Sequence, residues 1–133
     1  MSESNTTTRT RNIPPLVYVV DDNVALTKMA EMILTEEGFQ CHAFCDPKQV
    51  VAAFKRGAPF PDVLLTDYEM GSMTGLELIA HCRREIPALK TILVSGTVKA
   101  ESLLNQPVRV DQFLSKPYKP DELAKAIKTL LKR

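Results

Sequence analysis

Three stretches of this chain are apolar at consecutive rather than alternate positions: Leu16-Val17-Tyr18-Val19-Val20, Val63-Leu64-Leu65-Thr66 and Thr91-Ile92-Leu93-Val94. A strand with one face in water alternates apolar and polar residues. Continuous β-branched runs therefore belong to strands covered on both faces, as in a parallel sheet between two layers of helices. Between the runs the period becomes helical. Leu26, Met29, Ala30, Ile33 and Leu34 recur at helical spacing from Asn23 to about Glu37, and Gly38 is the stop. Gln40 to Phe44 is expected as a short second strand. Asp46-Pro47 is an N-cap and first-turn pair for a helix carrying Val50, Ala53 and Phe54, closed by Pro59-Phe60-Pro61.

Gly75 opens a further helix with Leu76, Ile79 and Cys82 inward, ended by Pro87. Gln112-Phe113-Leu114-Ser115 reads as a fifth strand. Pro120 starts a last helix with Leu123, Ala126, Ile127, Leu130 and Leu131 inward. Between strands four and five the signal weakens. Ala100 to Asn105 fits only a short helix, and Pro107 with the β-branched Val108 and Val110 makes residues 106 to 111 irregular. Five strands alternating with helical segments through short connections require parallel pairing and right-handed crossovers. The expected fold is α/β: a five-stranded parallel sheet in order 2-1-3-4-5, in a doubly wound, flavodoxin-like three-layer sandwich whose fourth helix is short or irregular.

Length and charge bound the rest. At 133 residues one domain with one core is expected, and 17 Lys plus Arg against 16 Asp plus Glu leave a net charge of +1 that draws in neither nucleic acid nor membrane. Residues 1–14, rich in Thr and Ser and running into Pro14-Pro15, read as a flexible tail before a domain at 15–133. No apolar run suits a bilayer or a signal peptide, so a cytoplasmic protein without membrane insertion is expected. Cys41 and Cys45 in one strand would stand about 13 Å apart, too far for a disulfide. Nor can a strand fold Cys41, His42 and Cys45 around one ion, so burial is expected for both cysteines and for Cys82.

The strand ends carry the chemistry. Ligands of an open parallel sheet bind beyond the carboxyl ends of its strands. Here those ends hold Asp21-Asp22, Asp67, Ser95 and Lys116. Three carboxylates in one crevice raise each other's pKa unless a hard dication sits among them, and Mg²⁺ (or Mn²⁺), with its preference for oxygen, is the natural occupant. Asp67 is then placed to act as a carboxylate nucleophile, with Lys116 and Ser95 to offset charge on a transferred phosphoryl group.

These features, the acidic pair after strand one, the Asp ending strand three in LLTDYEM, the Met70 to Gly75 loop, the VSG at strand four and the FLSKP at strand five, resemble the response-regulator receiver domain of two-component signalling. The resemblance spans roughly residues 16 to 132, with all five elements in the family's order and spacing. It implies that Asp67 is the phospho-acceptor. It further implies that Asp22, Asp67 and the backbone carbonyl of Glu69 bind the metal directly, that Asp21 acts through a water, and that Ser95 and Lys116 contact the phosphoryl group. Phe113 matches the family's switch aromatic, which turns inward when the Ser95 hydroxyl moves to the phosphate and so alters the surface of helix four, strand five and helix five. Glu69 and Thr97 stand where phosphoryl lifetime is tuned.

By the same resemblance the partners are a sensor histidine kinase or phosphotransfer protein, docking on the first helix and the loop after strand five, and a downstream target protein or output domain. A homodimer on phosphorylation is a further candidate partner; with no recognition helix or basic stripe in these residues, direct nucleic-acid binding is not expected. The chain would be a signalling phospho-acceptor rather than an enzyme, either a single-domain regulator or the receiver of a larger one. Two features depart from the family. Met70-Gly71 replaces its usual Met-Pro, and the small residues that usually precede strand five are missing.

Plainer readings exist for each residue alone. Asp21 and Asp22 suit N-caps of the first helix, and Asp67 and Ser95-Gly96 suit turns. Lys116-Pro117 suits a solvated loop, and Phe113 a core position. The basic run Lys125, Lys128, Lys132 and Arg133 reads as a solvated helix face. An aspartyl-phosphate phosphatase would need two Asp separated by one residue after strand one, whereas these are adjacent. A mononucleotide binder would need a Ser/Thr/Gly-rich loop there.

Overall fold

The computed structural model describes residues 13–96 and 107–132. Five strands, β1 (Leu16–Val20), β2 (Gln40–Phe44), β3 (Val63–Asp67), β4 (Lys90–Ser95) and β5 (Gln112–Ser115), form one sheet in the order β2-β1-β3-β4-β5. All four pairings are parallel. Four helices occur among the described residues: α1 (Val24–Glu36), α2 (Pro47–Lys55), α3 (Gly75–Glu85) and α4 (Pro120–Leu131). The expected helical segment at Ala100 to Asn105 lies outside the described residues, as does Thr97.

The strand pleat sorts the core into two layers. Tyr18, Val20, Leu64 and Leu93 point to one face and pack with Val50 of α2 and Leu78, Ile79 and Cys82 of α3. Their neighbours Val17, Val19, Leu65, Ile92 and Val94 point to the other and meet Ala30 and Leu34 of α1 and Leu123 and Ile127 of α4. Every residue of β1 and β3 is buried, which is why those runs contain no polar alternation. No helix among the described residues is long and apolar enough to cross a membrane.

Local chemistry sets the helix ends. Asp46 caps α2 by accepting from the Lys48 N–H at 2.9 Å, with Pro47 in the first turn. Thr74 and Glu77 form a reciprocal capping box on α3, at 3.2 and 2.9 Å. The second helix stops earlier than its prolines imply. It ends at Lys55, where Gly57 takes φ +81° and turns the chain before Pro59 is reached. The burial expected for all three cysteines holds in full for Cys82 alone; Cys41 and Cys45 are half-buried, since β2 is an edge strand and Cys45 lies beyond its end.

Of the glycines, Gly75 at the junction of β3 with α3 is the one with no room for a Cβ. The Gly75 N–H donates to the Tyr68 carbonyl at 2.8 Å, which draws the start of α3 onto the end of β3. A Cβ on Gly75 would stand 2.3 Å from the Asp67 carbonyl oxygen and 2.7 Å from a Leu93 methyl. Neither a strand carbonyl nor a packed leucine can withdraw without disturbing the sheet. Gly75→Ala is therefore expected to cost about 1–3 kcal/mol of unfolding free energy, the usual range for overpacking. Urea denaturation followed by circular dichroism checks this, and a midpoint equal to wild type would refute it.

Candidate functional site

The five strands run the same way, so their carboxyl ends share one rim, and the candidate residues meet there. Asp21 follows β1 and Asp67 ends β3; both are buried, while Asp22 is exposed at the mouth. One carboxylate oxygen from each of Asp21, Asp22 and Asp67 lies within 4.8 Å of the others. The Lys116 ammonium reaches over from the end of β5, 2.9 Å from Asp21 Oδ2 and 3.3 Å from Asp67 Oδ2.

Neither aspartate after β1 is the helix cap. That role falls to Asn23, whose side-chain oxygen accepts from the Leu26 N–H at 3.1 Å. Asp21 in turn accepts from the Asn23 N–H through Oδ1 at 2.9 Å, which leaves its Oδ2 for Lys116. The turn therefore orients the carboxylate as well as starting the helix.

Lys116 and Ser95 are linked through the main chain: the Lys116 N–H donates to the Ser95 carbonyl at 3.1 Å, and Ser95 pairs with Ser115 in register. Ser95 is half-buried at the end of β4. Phe113 is opposite Leu93 and packs half-buried against the core layer of α2 and α3. Glu69 is exposed on the loop after β3, a loop closed by Met73 N–H to Met70 carbonyl at 2.9 Å. Sequence reading missed Tyr118. It is half-buried near this charge cluster, and burial followed by the Asp21 charge raises its pKa. An aromatic two places after a lysine carries no signal of its own.

The electrostatics are those of a site built for more positive charge than Lys116 supplies. Burial, then the adjacent Asp21 charge, raises the Asp67 carboxyl above its usual value, and Lys116 offsets only part of this. Burial also works against the Lys116 cation, but its hydrogen bond and charge contact with Asp21, reinforced by Asp67, outweigh that and raise its pKa. The donor set is all oxygen, tightly grouped and open on the Asp22 side, so it fits a hard metal ion that keeps some water.

The family model of the response regulator receiver domain matches residues 17–128. Among curated relatives, the probable transcriptional regulatory protein TcrX of Mycobacterium tuberculosis is 30% identical over 121 residues, covering 90% of this chain and 51% of that protein. The DNA-binding transcriptional regulator NtrC of Proteus hauseri is 33% identical over 108 residues, covering 80% of this chain and 22% of that protein. The chain thus spans about half or less of the relatives' length. Among solved structures, a CheY-like receiver domain protein from Methanospirillum hungatei superposes with a TM-score of 0.79 at 26% identity, over 87% of this chain and 92% of that one. The chemotaxis regulator CheY4 of Vibrio cholerae shares the fold, with a TM-score of 0.79 at 23% identity, over 89% of this chain and 99% of its own.

A pH dependence follows from Asp67. Its raised pKa means that the folded, metal-free protein keeps this proton to a higher pH than the unfolded chain does. Stability is then lost as pH rises from the usual carboxylate value through the folded one. In a metal chelator at neutral pH, Asp67→Asn is expected to melt at a higher temperature than wild type, with the gap closing toward acid. Equal melting temperatures across the range would contradict the assignment.

Proposed function

The chain belongs to the response regulator receiver domain family, and on that footing we propose that Asp67 accepts a phosphoryl group from the histidine of a sensor kinase or phosphotransfer protein. The observation that carries this is the cluster of Asp21, Asp22 and Asp67 with the Lys116 ammonium on two of the three. A carboxylate oxygen of Asp67 attacks phosphorus, an acyl phosphate bond forms, and the bond to the donor imidazole breaks with its electrons going to the ring nitrogen. Lys116 and the Ser95 hydroxyl face the charge that gathers on the phosphoryl oxygens. Asp22, Asp67 and the Glu69 carbonyl would hold Mg²⁺, or Mn²⁺, with Asp21 behind a water; such an ion supplies charge neutralisation at the transferred group.

Phosphorylation changes what Lys116 and Ser95 bind. With Ser95 drawn to the phosphoryl group, Phe113 packs further inward beside Leu93, and the exposed surface of β5 and α4, with the segment before β5, changes for a target protein or output domain. Glu69 and Thr97 set how long the acyl phosphate lasts. The donor's docking surface is beside the site. Val24, Met29 and Met32 are exposed on α1, and a cavity of about 310 Å³ lies between Leu26, Met29, Lys116, Pro117 and Tyr118. Its apolar walls suit a donor helix that carries its phosphohistidine to Asp67 across the charged rim.

In this reading the chain is a cytoplasmic signalling phospho-acceptor that recognises proteins, acting alone or as the receiver of a larger regulator, and dimerising on phosphorylation. Curated relatives favour the larger regulator: the part matched in TcrX and NtrC is a fraction of proteins named as transcriptional regulators.

Incubation with acetyl phosphate tests the proposal. Wild type with Mg²⁺ is expected to gain one phosphoryl adduct by intact mass, and Asp67→Ala none; an adduct that persists in the variant would move the acceptor elsewhere. Mg²⁺ alone is expected to raise the melting temperature of wild type, by about 2.7 kcal/mol of stability at a hundredfold excess over its dissociation constant. Asp67→Asn should respond much less. Glu69→Ala is expected to change the decay rate of the adduct, and equal decay would remove Glu69 from that role.

A further inference from the structure

Among the described residues β5, with four residues, is the shortest strand, and it is an edge strand paired with β4 alone. It nonetheless carries Phe113 and delivers Lys116. So short a strand has only four paired positions along β4 to hold it in register. A slip of one residue turns Phe113 to the opposite face, and a slip of two moves Lys116 by about 6.6 Å. The contacts of 2.9 and 3.3 Å with Asp21 and Asp67 survive neither.

The strand is pinned at its start. Asp111 Oδ2 accepts from the Thr91 N–H at 2.8 Å and from Thr91 Oγ1 at 3.2 Å, while the Asp111 N–H donates to Thr91 Oγ1 at 3.3 Å. The first β4 residue paired with β5 is Ile92, opposite Gln112. The carboxylate therefore continues the ladder one position beyond the strand, in place of a main-chain carbonyl. Arg83, in the last turn of α3, closes the arrangement with Nη2 2.9 Å from Asp111 Oδ2. The same guanidinium donates to the Leu89 carbonyl at 3.3 and 3.1 Å, to Thr91 Oγ1 at 3.1 Å, and to the Arg109 carbonyl. Arg109 Nε stands 3.5 Å from Asp111 Oδ1. The side chains of Arg83 and Asp111 are only 15% and 16% exposed, so water screens them little.

We propose that Arg83 and Asp111 are positioning residues for the site at the opposite end of the sheet: their clasp fixes the register and seat of β5, and through that strand places Lys116 against Asp21 and Asp67. The inference rests on the reading of Asp67 as phospho-acceptor.

The test is the rate of phosphorylation by acetyl phosphate at saturating Mg²⁺, for wild type, Asp111→Ala and Arg83→Met. Each variant is expected to react about tenfold more slowly, with Mg²⁺ affinity changed by no more than about twofold. Asp111→Asn keeps an acceptor for Thr91 and should recover part of the rate. In a Lys116→Ala background the further change Asp111→Ala should slow nothing more, because the clasp acts through Lys116. Wild-type rates in the folded single variants, or a slowing that persists without Lys116, would overturn the proposal. If Asp111→Ala fails to fold, Asp111→Asn and Arg83→Lys carry the comparison. Amide hydrogen exchange at residues 112–116 separates this idea from the one beneath it. If wild type takes no phosphoryl group, the phospho-acceptor reading fails. Protection of β5 unchanged by loss of the clasp defeats the positioning role.

Discussion

Parallel strands place all their carboxyl ends at one rim, and everything else about this molecule answers to the charge gathered there. Asp21 and Asp67 are buried within reach of one another, and the Lys116 ammonium lies across both. Burial, and after it the neighbouring Asp21 charge, disfavours the charged form of Asp67, and the lysine offsets only part of that, so the Asp67 pKa is raised. Such a site is held in readiness by the sheet rather than by its own interactions. Its rigidity comes from fully buried strands that lock the backbone on both faces.

Two local devices set the backbone around those carboxylates. Asn23 takes over the cap of α1, so Asp21 need not spend an oxygen on the helix. At the next strand, Gly75 lets α3 close directly on the Asp67 carbonyl, and this fixes the Asp67 backbone while its side chain faces the rim. On the opposite edge, the lysine depends on a strand of four residues, and the Asp111 carboxylate with Arg83 supplies the hold that so few ladder bonds lack.

Much of this could be read in advance. The strands and the starts of the helices fall at the expected residues because capping and apolar period are local: Asp46-Pro47, Gly38 and Pro120 each act within a turn or two of themselves. Pro59 and Pro61 point to a later end for α2 than the one observed, because Gly57, which takes a positive φ, terminates the helix before the prolines are reached. Free cysteines are commonly buried, which is the basis for expecting Cys41 inside, but β2 is an edge strand and leaves it half-buried. Arg83, Thr91 and Asp111 gave no signal, since a charged residue late in a helix and another in an irregular stretch are ordinary surface features until the chain brings them together.

The amino-acid sequence by itself determined the element types, the parallel sheet and the identity of the groups at the strand ends, because hydrophobic period and turn chemistry act over a few residues. Only the tertiary structure decided which carboxylate meets the lysine, which residue caps α1 and what pins β5. Those outcomes depend on distances between segments up to 95 residues apart, as Asp21 and Lys116 are, and separation along the chain carries no information about separation in space until the sheet has set its order and register.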